Sequence, residues 1–200
     1  MKLINIKIAN GEFTTLKEHR RGGLTFLAVT LRPTSTGSVK LANNDPLVDP
    51  IVDLNVFATK RDWDVMRKAL KLCMRIGKDM AALGYDISPH LLPQSASDTD
   101  MDDFIRGYCR STTHYCSTCR MAPEHSEDGS IGGVVDDRLR VHGISGLRVA
   151  DASIFPEILS THLAAPTVAV AEKCARLILD DYRTAQKLYG HTNSSDTTLF

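Results

Sequence analysis

The clearest pattern of hydrophobic and polar positions lies between Thr59 and Leu83, where apolar residues recur every three or four positions. This spacing is typical of a helix that buries one face. Thr59, with Asp62 three residues later, resembles a capping box, and Gly84 follows the last apolar turn as a helix stop. We therefore predict a helix over 59–83 whose buried face comprises Trp63, Met66, Leu70, Cys73, Gly77 and Met80.

Two segments before this helix have the pattern of strands. Leu24–Leu31 is mostly apolar, with aromatic and β-branched members, which favours a strand buried on at least one face. After a turn at Pro33–Gly37, Val39 and Leu41 alternate with polar residues. We therefore predict an antiparallel hairpin, followed by a second turn at Asn43–Pro46.

A second helix is predicted after a surface loop at residues 86–99. Asp98 can cap this helix. Its apolar face is predicted to consist of Met101, Phe104, Ile105 and Tyr108.

Residues 133–180 have the pattern of a strand, a loop and a helix. Leu147–Ala150 is a short β-prone run, and apolar residues recur at helical spacing from Pro166 to Ile178. The loop between them contains His162. Because a helix N-terminus offers free backbone N–H groups to an electron-rich ligand, we predict a cofactor edge here.

Composition and charge restrict the class of partner. The 200 residues suffice for one large or two small domains, and 42% hydrophobic residues are ordinary for a globular chain. The 24 basic and 24 acidic residues cancel, so bulk charge favours neither nucleic acid nor a membrane surface, and we expect a small-molecule partner. Five cysteines without a pairing framework, and no signal peptide or transmembrane segment, favour a cytoplasmic location.

The densest chemical cluster is His114–Met121, and two interpretations compete for it. Cys116 and Cys119 have metal-ligand spacing, with His114 and His125 on either side, but the second closely spaced ligand pair that a tetrahedral zinc site usually has is absent from the sequence. Alternatively, His114 acts as a base and the cysteines are buried. An imidazole with a pKa of about 6.5 is suited to removing an alcohol proton, and His162 can then hold the same hydroxyl oxygen.

The chain resembles the C-terminal part of the glucose-methanol-choline (GMC) flavoprotein oxidoreductases, which are FAD-dependent alcohol and sugar oxidases and dehydrogenases. The resemblance runs from about Leu31 to Ile178. Its landmarks, in chain order, are Arg32-Pro33 with Ser35, Gly37, Val39 and Leu41; Asp45-Pro46; His114 with Thr118-Cys119-Arg120-Met121; Val134-Val135-Asp136 with Leu139 to Gly143; Leu147 to Ser153; and Ala165-Pro166 with Ala171-Glu172-Lys173.

The resemblance implies a catalytic pair, His114 and His162, in which His114 takes the hydroxyl proton while hydride passes to the flavin N5. It also implies that FAD contacts Asp151, Ala152, His162, Leu163 and Ala164. A histidine at 162 is more similar to the sugar and aryl-alcohol branches than to the choline branch. Ser117 departs from the family pattern, because glycine is common there.

The fold implied by the resemblance is α+β: an antiparallel sheet with helices, plus the last strand and helix of an FAD-binding domain whose N-terminal part is missing. None of the 13 glycines forms the G-x-G of a dinucleotide-binding turn. We predict a connector at 1–23, a substrate part at 24–133, an FAD-domain return segment at 134–178 and a tail at 179–200.

The expected function is therefore the C-terminal part of an FAD-dependent alcohol or sugar oxidoreductase. We expect the isolated chain to be inactive and to hold FAD weakly. Its expected partners are an alcohol or sugar substrate and either a separate FAD-domain chain or a second copy through self-association. The alternatives are a non-catalytic interaction protein that keeps the fold, and a small metal-binding domain that uses the Cys-x-x-Cys.

Overall fold

The computed structural model describes residues 6–8, 25–86, 91–129 and 132–190, and the side chains of 25–86, 91–129 and 132–188. The described part of the chain is α+β. It divides into two compact units: the first takes in the described residues up to Tyr115 together with Ile158–Thr161, and the second takes in Cys116–Glu157 and the residues from His162 onward. Three of the seven histidines, His19, His90 and His191, lie outside the described residues.

The first unit contains two short antiparallel pairs. Strand β1 (Ile6–Ile8) pairs with β4 (Cys109–Ser111), and β2 (Ser38–Lys40) pairs with β3 (Ile51–Asp53). Part of the predicted connector is therefore a strand.

The predicted hairpin partner was wrong. Residues 25–31 form no strand, and β2 instead pairs with β3 across the turn predicted at Asn43–Pro46. Ala28 and Thr30 are nevertheless buried, at 5% and 3% exposure. The apolar pattern thus indicated burial correctly, but burial alone does not specify a hydrogen-bonding partner.

The core of the first unit is the predicted face of helix α1 (Lys60–Ala82). Met66 and Leu70 are buried, and Trp63 and Cys73 pack against the same cluster. Gly84 ends the helix with φ +91°, a conformation that glycine adopts without strain. Helix α2 (Asp98–Tyr108) adds three buried residues, Met101, Phe104 and Ile105, whereas Tyr108 is exposed.

The two predicted caps differ from those observed. Thr59 is the N-cap of α1, but its side chain makes no capping bond, and the Asp62 carboxylate accepts bonds from Thr34 and Ser35 instead. Ser97, not Asp98, caps α2, since its hydroxyl accepts the N–H of Asp100 at 3.1 Å. At α1 a tertiary contact of Asp62 thus takes the place of the predicted capping box, whereas at α2 the neighbouring Ser97 provides the cap.

The second unit contains short extended segments held by β-type hydrogen bonds. The segment 117–122 bonds on one side to a 3-10 turn (Ala152–Ile154) and on the other to 134–135. The predicted strand Leu147–Ala150 is not a full strand. Arg148 forms a single β-bridge with Arg140, and backbone hydrogen bonds join Leu147 to Val141 and Val149 to Leu139.

Helix α3 (Ala164–Gly190) completes the second unit. It begins two residues before Pro166 and continues twelve residues beyond Ile178, into the predicted tail. Its buried contacts come from Cys174 and Leu177. No helix among the described residues is long and apolar enough to cross a membrane.

Asp181 of α3 is bound by three guanidinium groups, from Arg138, Arg140 and Arg148. The hydrogen bond from Arg140 is the largest of the effects that lower the pKa of Asp181, to about 2, against the opposing effect of desolvation. Because the folded pKa lies below the unfolded one, this stabilisation is present above about pH 4 and is lost as the pH falls towards 2.

We therefore expect Asp181→Asn to lower the thermal unfolding temperature at pH 7 and to have a much smaller effect at pH about 2, where the carboxyl group is about half protonated. Circular dichroism melts at both pH values, with and without added salt, measure this. Asp180→Asn is the matched control, since Asp180 pairs only weakly, at 3.9 Å with Arg183 on the same helix. Equal effects of the two variants at pH 7 would contradict the assignment.

Candidate active site

His114 lies in a loop that begins where β4 ends at Ser111. Its Nδ1 lies 3.3 Å from the Thr112 hydroxyl, and its side chain is partly buried. Thr113, between the two, has φ +59°, which is rare for a β-branched residue. The Ser111 hydroxyl accepts the Thr113 N–H at 3.0 Å and so supports this conformation.

The segment after His114 belongs to the second unit and is fixed by backbone bonds. The N–H groups of Ser117, Cys119 and Met121 donate to the carbonyls of Ala152, Ser153 and Ile154 at 3.3, 2.9 and 2.8 Å. Every second residue of 117–121 is thus tied to the turn that follows Asp151. Ser117 has φ +70°, which explains structurally why glycine suits this position.

The two cysteines in this segment differ in burial. Cys116 is 2% exposed and its sulfur accepts a bond from the Ser117 hydroxyl at 3.4 Å, whereas Cys119 is partly buried. Within the part of the chain that the structure describes, no three His, Cys, Asp or Glu residues are grouped to hold a metal ion.

The predicted cofactor residues lie at the starts of two helical segments of the second unit. The Asp151 carboxylate accepts the N–H of Ser153 at 2.8 Å and so caps the 3-10 turn that begins at Ala152. Leu163 is 5% exposed, and its carbonyl accepts both the N–H and the hydroxyl of Thr167, at 3.0 and 2.7 Å. Ala164 is the first residue of α3.

His162 precedes α3 and its side chain is exposed. It belongs to the second unit together with Asp151, Ala152, Leu163 and Ala164, whereas His114 belongs to the first. The structure therefore brings the predicted cofactor residues into one unit. The pairing of His114 with His162 stays a prediction.

Sequence reasoning missed a close backbone approach beside this segment. Gly132 and Gly133 lie against Pro123 and Ala122, and the Gly132 carbonyl accepts the Nε–H of Arg120 at 2.8 Å. A Cβ on Gly133 would lie 2.4 Å from the Ala122 nitrogen. The adjacent glycines were the available signal, since a glycine pair often marks a close approach of two backbones.

We expect Gly133→Ala to lower the free energy of unfolding by about 2 kcal/mol, because the methyl group meets backbone that cannot rotate away. Chemical denaturation followed by circular dichroism measures the change. Gly107→Ala is the matched control: its added methyl meets no atom within 4 Å, and alanine favours the helix, so stability is expected to be unchanged or slightly higher. A Gly133→Ala protein as stable as wild type would refute the close approach.

Comparisons with known proteins agree with these landmarks. A family profile described as GMC oxidoreductase matches residues 33–171. The oxygen-dependent choline dehydrogenase of Klebsiella pneumoniae is 34% identical over 166 residues, which cover 82% of this chain and 28% of that protein. Pyranose dehydrogenase 2 of Leucoagaricus meleagris is 37% identical over 161 residues, covering 80% and 26%.

Among solved structures, pyridoxine 4-oxidase from Mesorbium loti matches with a TM-score of 0.64 and 34% identity, covering 74% of this chain and 28% of that one. The chain thus spans about a quarter of the length of the relatives it matches. The profile match covers more than half of the chain and includes both His114 and His162. The chain therefore belongs to the GMC oxidoreductase family.

Proposed function

We propose that this chain is the substrate-binding and proton-transferring part of an FAD-dependent oxidoreductase that acts on the CH–OH group of an alcohol or sugar. The observation that carries the proposal is the family match over residues 33–171, which includes both histidines and the two helix starts. Choline dehydrogenases and a pyranose dehydrogenase among the relatives support a hydroxyl-bearing substrate.

The residues at the start of α3 fit the edge of FAD. Ala164 and Ala165 are exposed and carry only methyl side chains, so an electron-rich group can reach their backbone N–H groups. Pro166 leaves no unpaired N–H behind them. When bound, FAD supplies the acceptor for the hydride that leaves the substrate carbon.

The two histidines have different roles in the removal of the hydroxyl proton. His114 takes the hydroxyl proton on Nε2, since its Nδ1 faces Thr112. His162, exposed at the start of α3, donates a hydrogen bond to the same oxygen as its negative charge develops. Deprotonation raises the electron density on the oxygen, which promotes departure of hydride from the adjacent carbon.

We propose that this chain alone holds FAD weakly. The 200 residues contain no G-x-G turn for the pyrophosphate, and each charge-assisted hydrogen bond lost there costs about 1.5–3 kcal/mol. Several such losses lower the affinity by several powers of ten. A polypeptide with a dinucleotide-binding fold would supply these bonds and cover exposed apolar residues of α3, namely Val168, Ile178, Leu179 and Leu188.

The test compares two proteins by the absorbance of bound flavin. The first is this chain with added FAD, which is expected to stay colourless after gel filtration. The second is a chimera that places the N-terminal region of pyranose dehydrogenase 2 ahead of this chain. It is expected to be yellow and to be bleached by an alcohol or sugar without oxygen. A yellow chimera that no substrate bleaches would contradict the proposed activity. Tight FAD binding by the chain alone would contradict the proposal that its FAD site is incomplete.

The proposed substrate is an uncharged primary alcohol or a sugar rather than a charged amine alcohol. A histidine at 162 favours this choice. Bleaching of the chimera by benzyl alcohol, glucose and choline in turn compares the classes. Turnover of choline alone would overturn the preference.

A further inference from the structure

We propose that Thr112 is a positioning residue that selects the tautomer of His114, its hydroxyl accepting the Nδ1–H so that Nε2 keeps its lone pair. This inference rests on the proposed role of His114 as the base. It adds a residue that lies outside the family landmarks in the sequence.

The contact is built by three consecutive residues after β4. The Thr112 Oγ1 and His114 Nδ1 are 3.3 Å apart, and both side chains are partly buried. The residue between them, Thr113, has φ +59°, which lies in the left-handed region. A left-handed β-branched residue is strained and persists only when its surroundings enforce it.

Two hydrogen bonds enforce it here. The Ser111 hydroxyl accepts the Thr113 N–H at 3.0 Å, and the Thr113 hydroxyl donates to the Thr112 carbonyl at 2.6 Å. Thr112 is β-branched, so its hydroxyl has few available directions. The loop therefore holds both the backbone and the hydroxyl that face Nδ1.

The proposed role of His114 as the base requires one direction of this hydrogen bond. A neutral imidazole carries one N–H, so the role of Nδ1 in its contact with Thr112 determines whether Nε2 carries a proton or a lone pair. A threonine hydroxyl can donate or accept. Only when Thr112 accepts is Nε2 able to take a proton; when Thr112 donates, His114 presents an N–H and cannot act as a base.

The test reads the tautomer directly in the full 200-residue chain, without cofactor or turnover. Nitrogen-15-labelled histidine is observed by long-range proton–nitrogen NMR at pH about 8.5, two units above the ordinary histidine pKa. His114→Gln identifies the His114 signals. The expected result is a protonated Nδ1 and an unprotonated Nε2.

Thr112→Val removes the hydroxyl and keeps the branched shape, and is expected to change the tautomer ratio of His114 about fivefold towards Nε2–H. Thr112→Ser keeps the hydroxyl and is expected to restore the wild-type ratio. Thr99→Val, an exposed site on α2, is the matched control and is expected to leave the His114 signals unchanged.

A wild-type chain with the proton on Nε2 overturns the inference, even if Thr112→Val does not fold. An unchanged ratio in folded Thr112→Val also overturns it. Failure here is distinct from failure of the proposed function: a chimera bleached by substrate with His114 in the Nε2–H form would keep the activity and remove only the role of Thr112.

Discussion

Replacing Asp62 with alanine is expected to lower the free energy of unfolding of the first unit by about 3 kcal/mol. The carboxylate is 2% exposed and accepts the N–H and hydroxyl groups of both Thr34 and Ser35. Alanine leaves these donors without their acceptor. Because Ser35 is 1% exposed, water cannot readily replace the lost bonds there.

The fluorescence of Trp63 can be used to measure this loss of stability. Trp63, the single tryptophan, follows Asp62, stacks on Phe57 at 4.4 Å and donates its Nε1–H to the Phe57 carbonyl at 2.8 Å. Its fluorescence during urea unfolding therefore reports on the first unit. Asp64→Ala is the control: Asp64 pairs with Lys60 at an exposed position and with the partly buried Arg67, both on the same helix, so its loss should cost much less than the loss of Asp62.

The effect has a pH signature. Burial raises the pKa of Asp62, but the combined hydrogen bonds from Ser35 and Thr34 outweigh it and hold the pKa below its ordinary value. The stabilisation is thus present above about pH 4 and is lost as the pH falls through the folded pKa. In Asp62→Ala, the free energy of unfolding should therefore depend less on pH below about pH 4. We call the contact of Asp62 with Thr34 and Ser35 the Asp62 anchor. Equal losses of stability for Asp62→Ala and Asp64→Ala at pH 7 would contradict this role of Asp62.

Replacing His114 with glutamine is expected to slow anaerobic flavin reduction in the FAD-loaded chimera by about 10²–10⁴-fold. Glutamine retains a polar side chain of similar length but cannot take the hydroxyl proton. Stopped-flow absorbance at saturating substrate measures the rate. Part of the loss should be recovered as the pH rises, because solvent hydroxide then removes the proton.

Two further variants make this prediction specific. His125→Gln changes an exposed histidine nearby in the sequence and should leave the rate within about twofold. His162→Gln should slow reduction less than His114→Gln, since glutamine can still donate a hydrogen bond to the oxygen. A larger loss at His162 than at His114 would reverse the proposed roles.

The sequence pattern predicted long local elements better than short distant pairings. Helix α1 was placed within one residue at each end because its apolar stripe is long and Gly84 ends it. The pairing of β1 with β4 joins three-residue strands about a hundred positions apart, and so short a pattern contains no register information. The anchor at Asp62 was missed because a capping box and a tertiary contact use the same residue types.

The candidate site residues come from motifs that identify single positions. The roles of His114, His162 and the predicted cofactor residues stay predictions, and the structure shows only that Ala152 and Ala164 are the first residues of two helical segments. The sequence did not predict the role proposed for Thr112 or the close backbone approach at Gly132 and Gly133. Both depend on loop conformations, a left-handed Thr113 and a backbone contact with Ala122, that no local propensity specifies.

The Asp62 anchor also bears on the order in which the first unit folds. It joins groups 27 and 28 positions apart, so a loop must close before any of its bonds form, whereas α1 depends on local contacts. We expect α1 to form before the transition state and the anchor to form after it. Asp62→Ala should then accelerate unfolding and leave the refolding rate nearly unchanged, which makes the anchor a determinant of kinetic stability.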